Sequence, residues 1–373
     1  MTSEDFFEPI IKQFQNKLPF VVYRKPNESE VKALLQKDST LHITKDFTQT
    51  GFVFAPFDDK EDAVLIPFSK SEYSTIDVAI HARIGIHSIS ENNFFEDKEH
   101  HIDLVQKAIQ KTDSGLFEKV VVSRQEAVTM EDSNPLDTFK RLLKIYPTAF
   151  VYCWCHPKVG LWLGASPETL LRIEGNQFTT MALAGTQNYE GALDVEWGNK
   201  EKEEQQLVTD FVVNSLEKTV DSLNVSDVET IKAGNLLHLR TTLTGTLNLK
   251  QSNLKQLLCN LHPTPAVCGQ PKEMAMQFIL ENENYNREFY TGFLGELNMK
   301  QKISRNSNRE NIENIAYSVV KNVTNLYVNL RCMQFKNNEA LIYVGGGITK
   351  DSVPEDEWQE TVSKTLVMKK ALQ

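Results

Sequence analysis

The sequence contains no apolar run that approaches the roughly 20 residues a membrane-spanning helix needs, so it predicts no such helix. Basic residues are also in deficit, with 40 lysines and arginines against 50 aspartates and glutamates and a net charge of −10. Because no basic stripe with interleaved aromatics is present, we do not expect nucleic acid as a partner. The opening stretch, acidic before it is apolar, lacks the pattern of a secretion signal, so we expect a cytoplasmic protein.

Cysteine is scarce and odd in number, which argues against a disulfide framework. The five cysteines stand in apolar surroundings and are predicted to be reduced core thiols: Cys153, Cys155, Cys259, Cys268 and Cys332. The spacing of the first two, in "CWC", suits one face of a strand better than a zinc site.

What the 373-residue chain does contain is 40% hydrophobic residues, enough for a large core. Short apolar runs that alternate with polar turns over the first ninety or so residues predict antiparallel strands. Further strands are separated by helices or by short turns such as "KNN", and "HIDLVQKAIQKTDSG" predicts a helix with Gly115 near its end. We therefore expect an α+β protein built on antiparallel sheets. No repeat or linker is evident, so residues 1–373 are predicted to form one domain. The polar segment 298–322 is predicted to be a surface excursion or a disordered loop.

Three consecutive glycines, Gly345, Gly346 and Gly347, follow an apolar run near the end of the chain. Their spacing is that of neither a Walker loop nor a dinucleotide fingerprint. Two interpretations remain open. The glycines form a tight turn, or they let the backbone approach an anionic ligand closely.

Two predicted helices each carry a pair of carboxylates at a spacing of three. Glu201 and Glu204 lie on one face of a helix predicted from about Trp197 to Val220, and Glu357 and Glu360 share a face of the last helix. Either pair alone is typical of a solvated face or of favourable charge at a helix start. Together they suggest a site for a hard divalent cation such as Mg²⁺.

Four further residues have both an ordinary and a catalytic interpretation. Lys119, at the edge of a buried strand, either extends its amine to solvent or is desolvated and acts as a base. Glu168, at a turn between two strands, is a turn carboxylate or a general acid. His238, in "NLLHLRTTL", is a core histidine or a catalytic one. Arg331, within the predicted strand "LYVNLRCMQF", should be at least half buried and should need an anionic partner.

Several segments, in order, resemble the chorismate-utilising enzymes, and among these the isochorismate synthases. They include "KVVVSR", "LGASPETLLR", "LAGT", "EKEEQQLV", "HLRTTLTG", "LHPTPAVCG", "REFYTGFLGE" and "GGGI" followed by "EWQET". The resemblance runs from about residue 100 to residue 373, and residues 1–95 match more loosely. It implies two large antiparallel sheets packed together and flanked by helices, with chorismate as the small-molecule substrate. We expect a monomer or a weak dimer.

The resemblance also implies roles for individual residues. Glu204 and Glu360 correspond to Mg²⁺-binding glutamates, with Glu201 and Glu357 in supporting positions, and the metal would hold the ring carboxylate. The remaining substrate-binding positions fall into three sets. The enolpyruvyl carboxylate would be bound by Arg331, Tyr290 and the backbone of Gly345 and Gly346. A loop beside the substrate carboxylate would contain Gly185 and Thr186, and the ring would be lined by His238, Ala266 and Val267.

Lys119 distinguishes the branches of this family. Members that add ammonia carry glutamine there, whereas lysine resembles the water-using branch. In that branch Lys119 would activate a water for attack at C2 of the ring, and Glu168 would protonate the departing C4 hydroxyl. Ala182 and Gln205 depart from the common pattern, in which proline and histidine are frequent, but neither departure removes a proposed catalytic group.

Two alternatives to an isochorismate synthase follow from the same motifs. A salicylate synthase shares the lysine and the glutamate and goes on to eliminate pyruvate. A non-catalytic chorismate-binding subunit is the other alternative. The motifs fit an enzyme that supplies menaquinone synthesis or one that supplies a catecholate siderophore.

Overall fold

Two antiparallel sheets organise the chain. A computed structural model describes residues 2–77, 94–130, 134–233, 236–248, 253–303 and 319–373. Within these ranges the first sheet has nine strands, in the spatial order β15 (Gly269–Gln270), β7 (Lys119–Thr129), β19 (Glu339–Ile348), β18 (Cys332–Lys336), β9 (Gly160–Ser166), β8 (Phe150–His156), β1 (Phe20–Arg24), β2 (Glu30–Gln36) and β6 (Ser71–Asp77).

The second sheet has ten strands in the part of the chain that the structure describes. Nine follow the order β12 (Val220–Val225), β14 (Leu236–Leu247), β11 (Gln177–Asn188), β10 (Thr169–Glu174), β17 (Val319–Val328), β16 (Phe293–Ile303), β4 (Gly51–Ala55), β5 (Ala63–Pro67) and β3 (His42–Thr44), and β13 (Glu229–Ala233) pairs with β14.

Helices cover the outer faces of both sheets. In the described residues they are α1 (Ser3–Gln15), α2 (Phe94–Asp113), α3 (Pro135–Ile145), α4 (Asn199–Leu216), α5 (Leu254–Leu261), α6 (Lys272–Asn282) and α7 (Pro354–Leu372). None of these helices combines the length and the apolar character that crossing a bilayer requires. The expected α+β class with paired antiparallel sheets is confirmed.

The two faces of strand β8 pack against different parts of the core. Because alternate residues of a strand point to opposite faces, Tyr152 and Trp154 join the aromatic core between the sheets, whereas Cys153 and Cys155 pack with the helices. The "CWC" spacing thus places both thiols on one face, as predicted. Burying each large apolar side chain contributes about 1.5–3 kcal/mol. Of the five cysteines only Cys259 departs from the prediction, because it is exposed.

Most predicted elements are present, with differences at their ends. The expected N-terminal strands form, but α1, β2 and β6 were not foreseen. Gly115 lies two residues beyond α2 and has φ +76, the left-handed backbone conformation in which glycine commonly follows the end of a helix. The helix predicted to reach Val220 ends at Leu216, and Val220 starts β12.

The "KNN" turn and parts of the polar segment 298–322 lie between paired strands or at their ends. In the "KNN" turn, Asn337 and Asn338 have φ of 53 and 62, as a tight hairpin between β18 and β19 requires. Residues 299–303 of β16 and 319–322 of β17 are paired strand ends, so the prediction of a surface excursion or a disordered loop is wrong for these parts of the polar segment. Residues 304–318 lie outside the described ranges.

The predicted strand through Arg331 is wrong. β17 ends at Val328 in the second sheet and β18 begins at Cys332 in the first, so residues 329–331 form a link between the sheets. Arg331 has φ +48, outside the strand region. Asn329 holds the link from both sides, because its Oδ1 accepts from the Tyr152 hydroxyl at 2.6 Å and its Nδ2 donates to the Phe289 carbonyl at 2.8 Å.

Candidate active site

The three glycines lie inside strand β19, opposite β7, and not in a turn, so the tight-turn interpretation is wrong. A Cβ on Gly347 would lie 2.7 Å from Cε of Lys119, and one on Gly346 would lie 3.3 Å from Oε2 of Glu357. A Cβ on Gly345 would lie 3.1 Å from the Tyr290 hydroxyl. The bare backbone leaves room for polar side chains that converge from several elements.

Lys119, the first residue of β7, is buried and does not extend to solvent. Its Nζ lies 2.5 Å from Oε1 of Glu204, which projects from the first turns of α4. A Cβ on Gly347 would also collide with that oxygen of Glu204. Strand β7, Gly347 and helix α4 thus bring Lys119 and Glu204 together. The sequence indicated a role for each residue but did not predict their contact.

Glu168 lies at the predicted turn, between β9 and β10, but it is only 2% exposed. Its backbone is fixed, because the carbonyl accepts from the Val328 amide at 3.1 Å and the amide donates to Ser166 Oγ at 3.3 Å. Burial raises the pKa of the carboxyl to about 8, although Lys119 and Arg331 nearby act to lower it. The group is therefore mostly protonated at neutral pH, which a general acid requires.

His238 connects Gly185 to Arg331. Its Nδ1 donates to the Gly185 carbonyl at 2.8 Å and lies 3.4 Å from the Thr186 hydroxyl. Burial, with Arg331 nearby, lowers the pKa of His238 to about 3, so the ring is neutral and Nε2 is an acceptor. Arg331 Nη2 lies 3.5 Å from that Nε2. Among the described residues Arg331 makes no ion pair, so the predicted anionic partner is not a side chain of this part of the protein.

The carboxylates of the second pair, Glu357 and Glu360, each contact a lysine. Glu357 Oε1 accepts from Lys200 at 2.5 Å, and Glu360 pairs with Lys364, whose Nζ also donates to the Gly345 carbonyl at 2.8 Å. Burial and the neighbouring Glu360 raise the pKa of Glu357 against the opposing effect of Lys200. Burial alone would raise the pKa of Glu360, but Lys364 and Lys200 outweigh it and lower that pKa.

The predicted metal ligands are only partly assembled. In the part of the chain that the structure describes, no three carboxylate, imidazole or thiolate groups are gathered at metal-binding distance. Glu357 and Glu360 face Gly346, and Glu204 faces Gly347, while Glu201 stands between Gly185 and Gly198 at the start of α4. Oε2 of Glu357 is buried without a hydrogen-bond partner in the described residues, which is the kind of orphan oxygen that a cation satisfies. The donor set therefore fits a hard cation.

Ala266 and Val267 lie in the loop between α5 and β15. Val267 is buried in the core beneath the second sheet, and Ala266 is partly buried beside it. Sequence reasoning missed the residue that fixes this loop. Arg287 donates to the carbonyl of Val267 at 3.0 Å and to that of Val121, two residues after Lys119, at 2.7 Å.

Arg287 is itself held by Glu283, with Nη2 and Nε at 2.5 and 2.8 Å from its carboxylate oxygens and both side chains 2% exposed. We predict that Arg287→Met lowers the free energy of unfolding by about 3–5 kcal/mol, because Glu283 is left as an unpaired buried charge. Denaturant unfolding measures this loss. Adding Glu283→Gln to the variant should recover part of it, and a loss below about 1 kcal/mol would contradict the assignment.

Comparison with known proteins identifies the family. A family model described as "Chorismate binding enzyme" matches residues 74–303, and a second chorismate-binding model matches residues 315–370. The chain belongs to the chorismate-binding enzymes. One relative within this family, the isochorismate synthase EntC of Escherichia coli K12, is 31% identical over 330 residues, covering 84% of this chain and 78% of EntC.

Solved structures of chorismate-binding enzymes share the fold. The isochorismate synthase DhbC of Bacillus anthracis gives a TM-score of 0.75 at 22% identity, covering 97% of this chain and 98% of DhbC. The menaquinone-specific isochorismate synthase MenF of Escherichia coli gives 0.73 at 21% identity, covering 95% and 89%. The pair of packed sheets is thus the fold of this family.

Proposed function

We propose that this chain is an isochorismate synthase that converts chorismate to isochorismate with Mg²⁺. The observation that carries the proposal is that Lys119 and Glu168 are both buried near each other, and that burial raises the pKa of the Glu168 carboxyl to about 8, so that it is mostly protonated at neutral pH. When the addition of water is coupled to the departure of a hydroxyl group, the base must start deprotonated and the acid must start protonated. The kinship with EntC supports the same assignment.

Lys119, once deprotonated, accepts a proton from the water whose oxygen bonds to C2 of the ring. The ring double bonds shift as the C4–O bond breaks, and Glu168 gives its proton to the departing hydroxyl. One water enters and one leaves, so substrate and product are isomers. Arg331 and Tyr290 hold the enolpyruvyl carboxylate, and neutral His238 keeps a polar acceptor beside Arg331. The buried setting keeps these groups from being screened by bulk water.

Mg²⁺ would be held by Glu204 and Glu360, with Glu201 and Glu357 in support. When bound it supplies a positive charge that orients and neutralises the ring carboxylate. The chain's own contribution is to keep Glu204, Glu357 and Glu360 beside the glycines of strand β19, with Lys200 and Lys364 as counterions of Glu357 and Glu360. Lys119 shares Glu204 with this site, so the base and the metal ligand are coupled.

We predict that the purified protein, given chorismate and Mg²⁺, forms isochorismate alone, with or without an ammonium salt. Chelation with EDTA should abolish product formation and added Mg²⁺ should restore it, as chromatography of the products would measure. Glu204→Gln should need far more Mg²⁺ than the wild type. Salicylate with pyruvate would favour the salicylate synthase alternative, an amino product would contradict the role of Lys119, and no product would favour a binding subunit.

A further inference from the structure

Two cavities of opposite charge reach the candidate site from different ends. The larger, of about 730 Å³, lies at the Lys119 and Glu204 end. The smaller, of about 230 Å³, runs from exposed Lys232 and Thr148 to Arg331, beside Pro167, the residue before Glu168. Each cavity therefore leads to a different part of the proposed catalytic machinery.

The larger cavity has an acidic lining. Five carboxylates face three lysines there, the carboxylates being Glu118, Glu203, Glu204, Asp210 and Asp351 and the lysines Lys119, Lys200 and Lys350. This excess of negative charge repels an anion and attracts a cation.

The lining of the smaller cavity is basic. Among the residues that the structure describes, its charged lining consists of Lys232, Arg240 and Arg331 and includes no carboxylate. Arg240 is neutralised in part by Glu229 at 2.8 Å. Lys232 forms no ion pair within the described ranges, and its Nζ lies 3.4 Å from the centre of the Tyr189 ring, which holds the amine at the opening.

We propose that the dianionic substrate reaches Arg331 through this basic cavity, and that the acidic cavity serves the cation. The inference rests on the proposed function, since chorismate carries a ring carboxylate and an enolpyruvyl carboxylate. The chain has a net charge of −10, so its overall field opposes the approach of a dianion. A locally positive opening that ends at Arg331 offsets this repulsion and presents the substrate to its anchoring residue.

Two charge reversals of equal size test the proposal at saturating Mg²⁺. Lys232→Glu alters the basic opening and Lys350→Glu alters the acidic one, and both lysines are exposed. At low salt, Lys232→Glu should lower kcat/KM for chorismate about three- to tenfold with kcat unchanged, and Lys232→Gln should give a smaller loss. The loss should shrink in about 0.5 M salt because charges are then screened within a few ångströms. Lys350→Glu should leave kcat/KM nearly unchanged.

The outcomes separate this proposal from the proposed function. Absence of isochorismate from the wild type would overturn the function itself. Wild-type turnover with an unchanged kcat/KM in Lys232→Glu would overturn only the basic route. A loss as large in Lys350→Glu, or a loss that high salt does not reduce, would also overturn it, because the effect would then not depend on the charge of one opening.

Discussion

Lys119→Gln is expected to lower the rate of isochorismate formation by about 10²- to 10⁴-fold, the usual contribution of a positioned base. Glutamine cannot take the proton of the attacking water. It also leaves Glu204 without the ammonium that lies 2.5 Å away, so a loss of activity alone could reflect altered folding.

Lys119→Arg provides the matched control. Arginine keeps a positive charge beside Glu204, but it stays protonated in proteins and cannot serve as a base. Both variants should be inactive in a product assay, while the arginine variant keeps a thermal unfolding midpoint close to that of the wild type. Retention of more than about a tenth of wild-type kcat in either variant would refute the base assignment. With ammonium salt present, slow amino product from Lys119→Gln would support it.

Glu168→Gln is expected to bind chorismate with near wild-type affinity and to lose turnover by about 10²- to 10⁴-fold, because only the proton donor is removed. The glutamine fills the same buried space without a charge. Isothermal titration calorimetry for binding and a product assay for turnover separate the two effects. As a control, Glu174→Gln changes a carboxylate at the far end of β10, where it pairs with Lys321, and should leave both quantities unchanged.

The same residue predicts the pH profile. Glu168 acts while protonated, and burial raises its pKa to about 8. The activity that depends on it is therefore present below pH about 8 and declines as pH rises through that value. A wild-type kcat/KM that stays level from pH 7 to pH 10, or full turnover by Glu168→Gln, would exclude this group as the acid.

The sequence was most informative where a residue's role follows from its own element. Helical spacing predicted that Glu357 and Glu360 share a face, and both lie beside Gly346. Alternation placed Cys153 and Cys155 on one face of β8. Lys364, four residues after Glu360, carried the same helical signal and was overlooked. Burial of Glu168 was not predictable, because a turn residue after proline is ordinarily exposed and its cover comes from distant segments.

Local sequence patterns did not predict the contacts between the two sheets. "LYVNLRCMQF" is apolar at both ends and contains no glycine or proline, so nothing marked the change of sheet at Arg331. Arg287 was likewise overlooked, because its partners Val121 and Val267 are remote in sequence. The assignments of metal ligands, substrate-binding residues and catalytic residues stay predictions, which the variants of Lys119, Glu168 and Glu204 test.

The link at residues 329–331 ties the position of Arg331 to both sheets. Asn329 is bonded to Tyr152 in the first sheet and to the Phe289 carbonyl in the segment entering the second, so Arg331 cannot shift without moving both. His238, on β14 of the second sheet, stands across from it. The 3.5 Å contact between Arg331 Nη2 and His238 Nε2 therefore joins side chains that are anchored in different parts of the fold. On the proposed function, the carboxylate that binds Arg331 meets a guanidinium of fixed position, and an analogue whose side chain is longer than the enolpyruvyl group should bind more weakly at the same charge.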